Sequence, residues 1–300
     1  EKALAAYMAP CETVRAEGRA YPVRIAYCAE TIAKLPPWEA AAKTCAALLP
    51  AIKDGHALVF MPGAFEIRRT AAALAAVPAL SEFAVMPLHG ELTPREQDAA
   101  VAPSAARKII VATNIAETSL TIDGVTAVID SGLAKIARFD GARGINTLFT
   151  ENISAASAEQ RAGRAGRTRP GVCARLWTER ENPGRPQSLA PEMLRLDISE
   201  ALLTLKACGF VNFGALDWLD PPDARDAARA EELLRELGAV DARGALTADG
   251  RAMAQYPLHP RYSRMLVEAG RLGCAYECAL IAAAAQGCGL GLAAGKRPQE

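Results

Sequence analysis

The sequence lacks an excess of charge of either sign, and it lacks any long hydrophobic run. Its 34 basic and 34 acidic residues cancel, so no global field draws the chain to nucleic acid or to an anionic membrane, and such binding requires local patches. No stretch reaches about 18 uncharged apolar residues, and Glu1-Lys2 does not begin a signal peptide. We therefore expect neither a membrane span nor secretion.

Paired cysteine motifs are missing as well. The eight cysteines are scattered along the chain, and no two of them have CxxC spacing. This pattern predicts reduced thiols and a cytoplasmic protein. Cys274, Cys278 and Cys288 could be combined with His259 as metal ligands, but their alanine-rich surroundings favour buried core thiols.

Two patterns that build a nucleotide site are also absent. A phosphate-cradling GxxxxGK[ST] would need glycine at position 290, where Leu290 stands, and Ser or Thr after Lys296, where Arg297 stands. No Asp-Glu-x-His stretch occurs to hold a metal ion. The chain alone therefore contains neither of these two patterns.

The most informative segment that is present reads QRAGRAGR, at residues 160–167. On an α-helix Gln160, Arg164 and Arg167 would project from one face, because they are spaced i, i+4 and i+7. Arginine offers a permanently charged, planar fork of donors that matches phosphate oxygens. Gly163 and Gly166 remove side chains that would keep another surface away. This pattern is suited to a phosphate or to the transition state of its transfer.

Two simpler interpretations of the same segment stay open. Ser157 and Gln160 fit a capping box, in which Gln160 folds back to the start of the helix. The arginines could also form a solvated basic face. Two glycines within a helix cost about 1 kcal/mol each relative to alanine, which favours a functional role.

Short apolar runs that favour β-strands alternate with helical stretches. The runs lie at 57–61, 83–87, 108–112, 126–130 and 172–177. Helical stretches include 65–76 and the segment that begins Thr93-Pro94-Arg95-Glu96, where a cap precedes a proline and a glutamate. The alternation predicts an α/β domain at residues 20–183, with a parallel sheet and helices on both of its faces.

Ligands of such sheets bind where the chain leaves the carboxyl ends of the strands. Three polar or glycine-containing segments are predicted there: Pro62-Gly63, Leu88-His89-Gly90 and 113–124. The last joins two strands without an obvious helix, and loops of that length in compact domains are usually functional. These three segments are therefore candidate binding loops.

The composition changes after residue 182. Pro183-Gly184-Arg185-Pro186 cannot continue a helix or a central strand. Helical patterns at 194–208 and 224–237, followed by a small hairpin pattern at 240–247, resemble a winged helix, placed at 184–257. A further helical region occupies 258–300. Since this region stops abruptly at Glu300, we expect the chain to be a piece of a longer protein.

Taken together, these segments resemble a DEAH-box RNA helicase of superfamily 2, most closely the bacterial HrpA and HrpB type. Residues 58–63 with Glu66-Ile67 are similar to motif IV, 88–90 to the backbone-binding turn that follows it, 112–121 to motif V and 160–167 to motif VI. Residues 220–222 and 256–260 are similar to signatures of the winged helix and the ratchet domain. The resemblance covers nearly the whole chain.

The resemblance implies a division of the chain into parts of a helicase. Residues 1–19 would end the first RecA-like domain and its linker, 20–183 would be the second RecA-like domain, 184–257 the winged helix, and 258–300 the start of a truncated ratchet domain. The P-loop and the ligands of Mg²⁺ would belong to the first RecA-like domain of the same polypeptide. No metal ligand is predicted in this chain.

The resemblance also implies roles for individual residues. Gln160 would orient the attacking water, and Arg164 and Arg167 would contact the γ-phosphate of ATP. Asp123 would lie near the nucleotide ribose. The phosphates of single-stranded or partly duplex RNA would be held by Gly63, Gly90, Thr113 and Asn114, although Thr113 and Asn114 could instead cap the end of a strand. Residues 131–154 would include a β-hairpin that separates strands, with Lys135 and Arg138 facing solvent.

Two other classes of protein remain as alternatives. One is a non-catalytic nucleic-acid or protein-binding module that keeps helicase architecture. The other is a DNA-binding protein built on the winged helix. Groove binding is disfavoured there, because Arg225, Arg229 and Arg235 are offset by neighbouring acidic residues on the same predicted helix.

Overall fold

The computed structural model describes residues 2–14, 21–118, 120–210, 214 and 216–285. The chain divides into two compact units. The sheet unit comprises residues 13–137 and 148–190, and the helical unit comprises residues 1–12, 138–147 and 191–300. Each unit has a core of its own.

Eight strands and eleven α-helices are present in the described ranges. The strands are β1 (Val23–Tyr27), β2 (His56–Phe60), β3 (Ala84–Leu88), β4 (Lys108–Ala112), β5 (Val125–Asp130), β6 (Leu133–Asp140), β7 (Ile145–Asn152) and β8 (Gly171–Arg175). The helices are α1 (Lys2–Tyr7), α2 (Glu30–Ala33), α3 (Pro37–Leu48), α4 (Ala64–Ala75), α5 (Pro94–Val101), α6 (Ala155–Gly163), α7 (Ser199–Ala207), α8 (Ala224–Glu236), α9 (Ala248–Met253), α10 (Pro260–Leu272) and α11 (Ala275–Ala285).

Six of the strands form one parallel sheet, in the order β1-β8-β5-β2-β4-β3. The predicted α/β fold is confirmed, and the five predicted strands lie within two residues of their expected bounds. Sequence reasoning missed β1, a short edge strand that includes Arg24 and is only partly buried. The hairpin expected within residues 131–154 is formed by β6 and β7, which make a separate two-stranded sheet.

Alternate side chains of the central strands enter two hydrophobic cores. Val59 and Val111 face one core, which also receives buried residues of α3 and α4. Phe60 and Ile110 face the other core, where α5 and α6 contribute buried alanines. Because successive strand residues point to opposite faces, this division places helices on both faces of the sheet.

The start of α5 follows the predicted capping box. The Thr93 side chain accepts a hydrogen bond from the Glu96 amide, and the Glu96 carboxylate accepts one from the Thr93 amide. Pro94 occupies the first turn, where its missing N–H is not needed. The local signal was sufficient here because the cap involves only neighbouring residues.

The helical unit is centred on apolar side chains of α7, α8 and α9, including Leu202, Leu203, Leu234 and Met253. Its predicted hairpin is reduced to a single antiparallel bridge between Val240 and Leu246. On α8 the arginines pair with acidic neighbours of their own helix: Arg229 with Asp226 at 2.9 Å, and Arg235 with Glu232. These pairs agree with the expectation that α8 is a poor groove-binding helix.

A buried polar cluster closes the helical unit. Asp197 accepts hydrogen bonds from the Ser199 amide at 2.8 Å and from the Ser199 hydroxyl, and it lies 3.6 Å from His259 Nε2. The Asn146 Oδ1 accepts a bond from the Asp197 amide at 2.7 Å. Although burial alone would raise the pKa of Asp197, the bonds from His259 and Ser199 lower it. His259 is therefore a structural partner of a carboxylate.

The prediction that Cys274 and Cys278 are buried core thiols is wrong. Both are partly exposed, and α11, which contains Cys278, buries only Ala282 in the described part of the chain. Cys288 lies outside the described residues. In the described ranges no cluster of three or more His, Cys, Asp or Glu side chains could hold a metal ion. None of the described helices has the length and apolar composition needed to span a bilayer.

Candidate functional site

The helix α6 carries the first part of the arginine-rich segment. The Ser154 side chain caps it by accepting a hydrogen bond from the Ser157 amide at 3.2 Å. The capping box considered for Ser157 and Gln160 is therefore wrong, because the helix begins three residues earlier than that box requires. Gln160 is instead exposed on the second turn of the helix.

The predicted single face of Gln160, Arg164 and Arg167 is not formed. The α-helix ends at Gly163, and Arg164 to Gly166 form one tighter 3₁₀ turn. Arg164 is buried, at 6% exposure, whereas Gln160 and Arg167 are exposed. The physical reason is that the Arg164 guanidinium turns towards main-chain oxygens of a neighbouring loop.

That loop, residues 113–124, binds Arg164 through its backbone. The Arg164 Nε and Nη2 donate to the Glu117 carbonyl, the former at 2.7 Å, and Nη1 donates to the Leu120 carbonyl at 2.7 Å. Burial and the nearby Arg167 charge lower the pKa of Arg164. Because an arginine has five N–H groups, these three bonds leave part of the Arg164 donor fork without a partner among the described residues.

Arg167 contacts the same loop further along the chain. Its Nη1 donates to the Thr121 hydroxyl at 3.0 Å. Asp123, two residues further on, is exposed. Since Arg167 is itself exposed, most of its donors face solvent at the same part of the loop as Asp123.

The third arginine, Arg161, is fully buried and was not selected from the sequence. Its Nε donates to Glu117 Oε2 at 2.9 Å, and its Nη1 donates to Asp130 Oδ1 at 2.9 Å and to the Leu133 carbonyl at 3.2 Å. Its guanidinium also lies 4.7 Å from the centroid of the Phe60 ring. Although burial would lower the pKa of Arg161, the two carboxylates raise it overall.

Glu117 is not among the residues predicted for the site. The structure places it between two arginines: its carboxylate binds Arg161, and its carbonyl binds Arg164. One signal in the sequence could have indicated this arrangement. Asp130 ends an apolar strand, and a buried carboxylate requires a cation or several hydrogen bonds.

The loop runs from the carboxyl ends of the sheet strands to their amino ends. Thr113 follows the carboxyl end of β4, whereas Gly124 precedes β5 and its carbonyl accepts a bond from the His56 amide at the start of β2. A five-residue strand is about 16 Å long. The prediction that the whole segment lies at the carboxyl ends is therefore wrong for its second half, which contains Asp123.

Four predicted RNA-binding residues do lie together at the carboxyl edge. Gly63 follows β2, Gly90 follows β3, and Thr113 and Asn114 follow β4, which is the strand between the other two. Backbone bonds join the three strand ends: the Met61 amide donates to the Ala112 carbonyl at 2.8 Å, and the Thr113 amide donates to the Leu88 carbonyl at 3.2 Å. Neighbouring strands thus present these residues side by side.

The two glycines differ in their surroundings. A Cβ atom added to Gly63 would lie 2.7 Å from Lys135 Cε and 2.9 Å from its Nζ, so the Lys135 ammonium lies directly against this backbone. A Cβ added to Gly90 would meet no atom within 4 Å. A side chain at position 63 would therefore displace the flexible end of Lys135, whereas one at position 90 would displace nothing.

Thr113 and Asn114 begin a 3₁₀ turn, and Thr113 makes no side-chain cap hydrogen bond. The capping alternative for Thr113 thus finds no support in the structure. Asn114, Gln160 and Ser157 share a cavity of about 250 Å³ with an apolar wall that includes Ile136 and Ile153. The structure brings Gln160 together with Asn114 at the carboxyl end, while Arg167 lies beside Thr121.

Two family models match this chain. The helicase conserved C-terminal domain matches residues 41–169, and the winged-helix helicase associated domain (HA2) matches residues 230–258. The first contains all the site residues described above. With the relatives described next, these two domains show that the chain corresponds to the C-terminal part of a DEAH-box RNA helicase.

Individual relatives agree with this assignment. The chain is 37% identical to the ATP-dependent RNA helicase HrpA of Escherichia coli, over 90% of this chain and 21% of that protein. It is 37% identical to the probable ATP-dependent RNA helicase DHX35 of Homo sapiens, over 92% of this chain and 40% of that protein. A crystal structure of the Escherichia coli DEAH/RHA helicase HrpB is 35% identical, with a TM-score of 0.86.

The DEAH-box match covers only part of these proteins. The HrpB structure is matched over 95% of this chain but 36% of its own chain. The chain thus spans between about a fifth and two fifths of the length of these relatives. The matched part is the C-terminal helicase part, with a parallel RecA-like sheet followed by a helical region.

The buried ion pairs of Arg161 predict a large loss of stability when the cation is removed. In Arg161→Met, Asp130 would remain buried without its partner, and breaking such a pair costs about 3–5 kcal/mol. Urea unfolding followed by circular dichroism measures this loss. Arg169→Met is the matched control, because its ion pair with Asp54 is exposed and is worth about 0–1 kcal/mol. Equal stability of the two variants would contradict the assignment.

The two glycines of the arginine-rich segment predict opposite effects of alanine. A Cβ at Gly166 would lie 2.5 Å from the Tyr21 carbonyl oxygen and 2.7 Å from Val23 Cγ2, whereas a Cβ at Gly163 would meet open space. We expect Gly166→Ala to lower the free energy of unfolding by about 1–3 kcal/mol. Gly163→Ala should leave it unchanged or raise it by up to about 1 kcal/mol. Thermal and urea unfolding of both variants check this, and a harmless Gly166→Ala would show that the backbone can move apart.

Proposed function

We propose that the chain provides the C-terminal helicase part of an enzyme that couples ATP hydrolysis to translocation on, or unwinding of, RNA. The proposal is supported most directly by three arginines of the segment 160–167, which contact successive residues of the loop at 113–124. Arg161, Arg164 and Arg167 bind Glu117, the Glu117 and Leu120 carbonyls, and Thr121 in succession. One end of this loop lies at the strand ends with the RNA-binding candidates. The other end contains Asp123 and is contacted by Arg167.

The nucleotide end of the proposal consists of groups that suit a phosphate and a ribose. Arg167 is exposed and uses one N–H group on Thr121, so its fork is available to the γ-phosphate of ATP. Arg164, held by the loop carbonyls, offers its remaining donors beside it. When bound, ATP with Mg²⁺ supplies the phosphoryl group, and these cations stabilise the charge that develops on it. Asp123 would accept a hydrogen bond from the ribose, and Gln160 would orient the attacking water.

The RNA end uses neighbouring strand ends. The backbone at Gly63 and Gly90 and the side chains of Thr113 and Asn114 would hold phosphates of single-stranded or partly duplex RNA, which positions a strand without selecting its sequence. The Lys135 ammonium beside Gly63 adds a cation to this edge. Phosphate contacts of this kind are suited to translocation along any RNA.

The remaining parts of the proposal concern the whole protein. The end of the first RecA-like domain with its linker would be formed by residues 1–19, and the second RecA-like domain by residues 20–183. The winged helix would occupy residues 184–257, and the ratchet domain would start within residues 258–300. The first RecA-like domain of the same polypeptide would provide the P-loop and the metal ligands. The cytoplasmic location predicted from the scattered cysteines belongs to this proposal.

The division of the nucleotide site predicts that the chain alone has negligible ATPase activity. Joined in one polypeptide to a domain with a P-loop and Asp-Glu-x-His, it should hydrolyse ATP with stimulation by RNA. Arg167→Ala should then lower kcat by about 10³-fold or more, because it removes charge stabilisation of the transferring phosphoryl group. Arg169→Ala, an exposed cation two residues away, is the matched control. Phosphate release measured with and without RNA gives these rates.

Three outcomes of the ATPase experiment would go against the proposal. Strong RNA-stimulated hydrolysis by the isolated chain would show that it contains a complete site. Absence of hydrolysis in the joined protein, with RNA binding retained, would support the alternative of a non-catalytic binding module. Equal losses in Arg167→Ala and Arg169→Ala would remove Arg167 from the nucleotide site.

The strand-end loop predicts a loss of RNA affinity when its polar side chains are removed. Thr113→Ala combined with Asn114→Ala should weaken binding to single-stranded RNA by about tenfold or more, since hydrogen bonds to a charged group contribute about 1.5–3 kcal/mol. The loss should be similar for RNAs of different sequence. Fluorescence anisotropy measures the dissociation constants, with Thr204→Ala on the exposed side of α7 as control. Unchanged affinity would remove Thr113 and Asn114 from the site.

A further inference from the structure

Aromatic side chains make up only 5% of the chain, yet two of them meet next to the proposed RNA edge. Trp38 lies in the first turn of α3, and Phe65 lies in the first turn of α4, two residues after Gly63. Their ring centroids are 5.9 Å apart and their planes meet at 89°. Phe65 is 53% exposed. Trp38 therefore supports one side of Phe65 and leaves much of the ring open to a ligand.

Two arginines lie beside this aromatic pair. Phe65, Arg68 and Arg69 are spaced i, i+3 and i+4, so they share one face of α4. The Arg69 guanidinium lies 5.3 Å from the centroid of the Trp38 ring. Arg68 and Arg69 are exposed, and the described part of the chain provides neither with a carboxylate partner. The surface combines an open aromatic ring with unpaired positive charge.

The acidic residue on the same turn, Glu66, places its carboxylate beside Gly63. Glu66 Oε2 is buried and lies 3.2 Å from the position of a Cβ atom on Gly63. The Lys135 ammonium approaches the same glycine from outside. The aromatic surface therefore adjoins the backbone proposed to hold an RNA phosphate, where the Lys135 ammonium and the Glu66 carboxylate both lie.

We propose that Phe65, supported by Trp38 and flanked by Arg68 and Arg69, stacks on a base of a single-stranded RNA whose phosphate is held at Gly63. This proposal rests on the proposed function and adds a base contact to it. Stacking on an aromatic ring tolerates any sequence because every base has a π-face. The unpaired arginines favour a polyanion over an apolar protein segment as the occupant.

The test compares the whole chain with Phe65→Ala and Phe65→Tyr by fluorescence anisotropy, on a single-stranded RNA and on the same RNA with abasic nucleotides. We expect Phe65→Ala to weaken binding of the intact RNA by about tenfold and Phe65→Tyr to restore it. On the abasic RNA the three proteins should bind alike. An equal loss on both RNAs would overturn stacking, since the backbone is then the part that Phe65 supports.

The salt dependence of RNA affinity distinguishes the contribution of the arginines from that of the Phe65 ring. Arg69→Gln should reduce the slope of log affinity against log salt concentration by about 0.7, because one fewer counterion is released from a single strand. Phe65→Ala should leave that slope unchanged. Phe210→Ala, which removes another exposed ring at 46% exposure in the helical unit, is the control and should bind both RNAs normally. A slope that Arg69→Gln leaves unchanged would contradict the placement of a phosphate beside Arg69.

The outcomes distinguish this proposal from the proposed function. If Phe65→Ala binds RNA normally while the Thr113→Ala, Asn114→Ala variant binds poorly, the stacking site is wrong and the RNA-binding edge stands. If the unmodified chain does not bind single-stranded RNA, the proposed function fails first. Unfolding midpoints of all variants show whether a loss of affinity comes from misfolding, and Phe65→Tyr tests the ring independently of any such loss in Phe65→Ala.

Discussion

The interaction on which the candidate site depends is the buried pairing of Arg161 with Asp130 and Glu117. Both Arg161 and Asp130 are fully buried, and charges in such surroundings require close partners because the solvent no longer stabilises them. The pairing connects the last turn of α6, the end of β5 and the middle of the loop at 113–124. The positions of Arg164 and Arg167 on the loop follow from this fixed point, since both come within two turns of Arg161.

The fixed loop offers a physical connection between the two ends of the candidate site, one proposed for the nucleotide and one for RNA. Its first residues stand among the ends of β3, β4 and β2, and its last residues stand at the opposite edge of the sheet. A change at one end must pass along a backbone that is held at Glu117, Leu120 and Thr121. Coupling along this path requires two arrangements of the loop with different energies, and the arginine bonds are the contacts that would differ between them.

The sequence predicted the sheet, the capping box of α5, the position of Gly63 and Gly90 at strand ends and the family, because these depend on local periodicity and on motifs in order. It did not predict which arginine is buried. Spacing on an ideal helix put Arg164 and Arg167 on one face, but the helix tightens after Gly163 because loop carbonyls attract Arg164. Glu117 and Arg161 were missed for the same reason: their partners lie 44 and 31 residues apart in sequence. The aromatic pair of Trp38 and Phe65 was also not predicted from the sequence, because it forms only where α3 and α4 pack together.

The tight packing of Gly166 against Tyr21 has a consequence for how the sheet unit opens. The Tyr21 amide donates to the Gly166 carbonyl at 2.9 Å, and the Gly171 amide donates to the Pro22 carbonyl at 3.1 Å. Edge strand β1 is thus joined to the arginine-rich segment and to β8, and the same segment holds the loop at 113–124. Because they share these bonds, we expect these parts to unfold locally as one cooperative unit. Amide hydrogens of the edge strand and of the loop would therefore exchange with solvent together, although the two segments lie far apart in the chain.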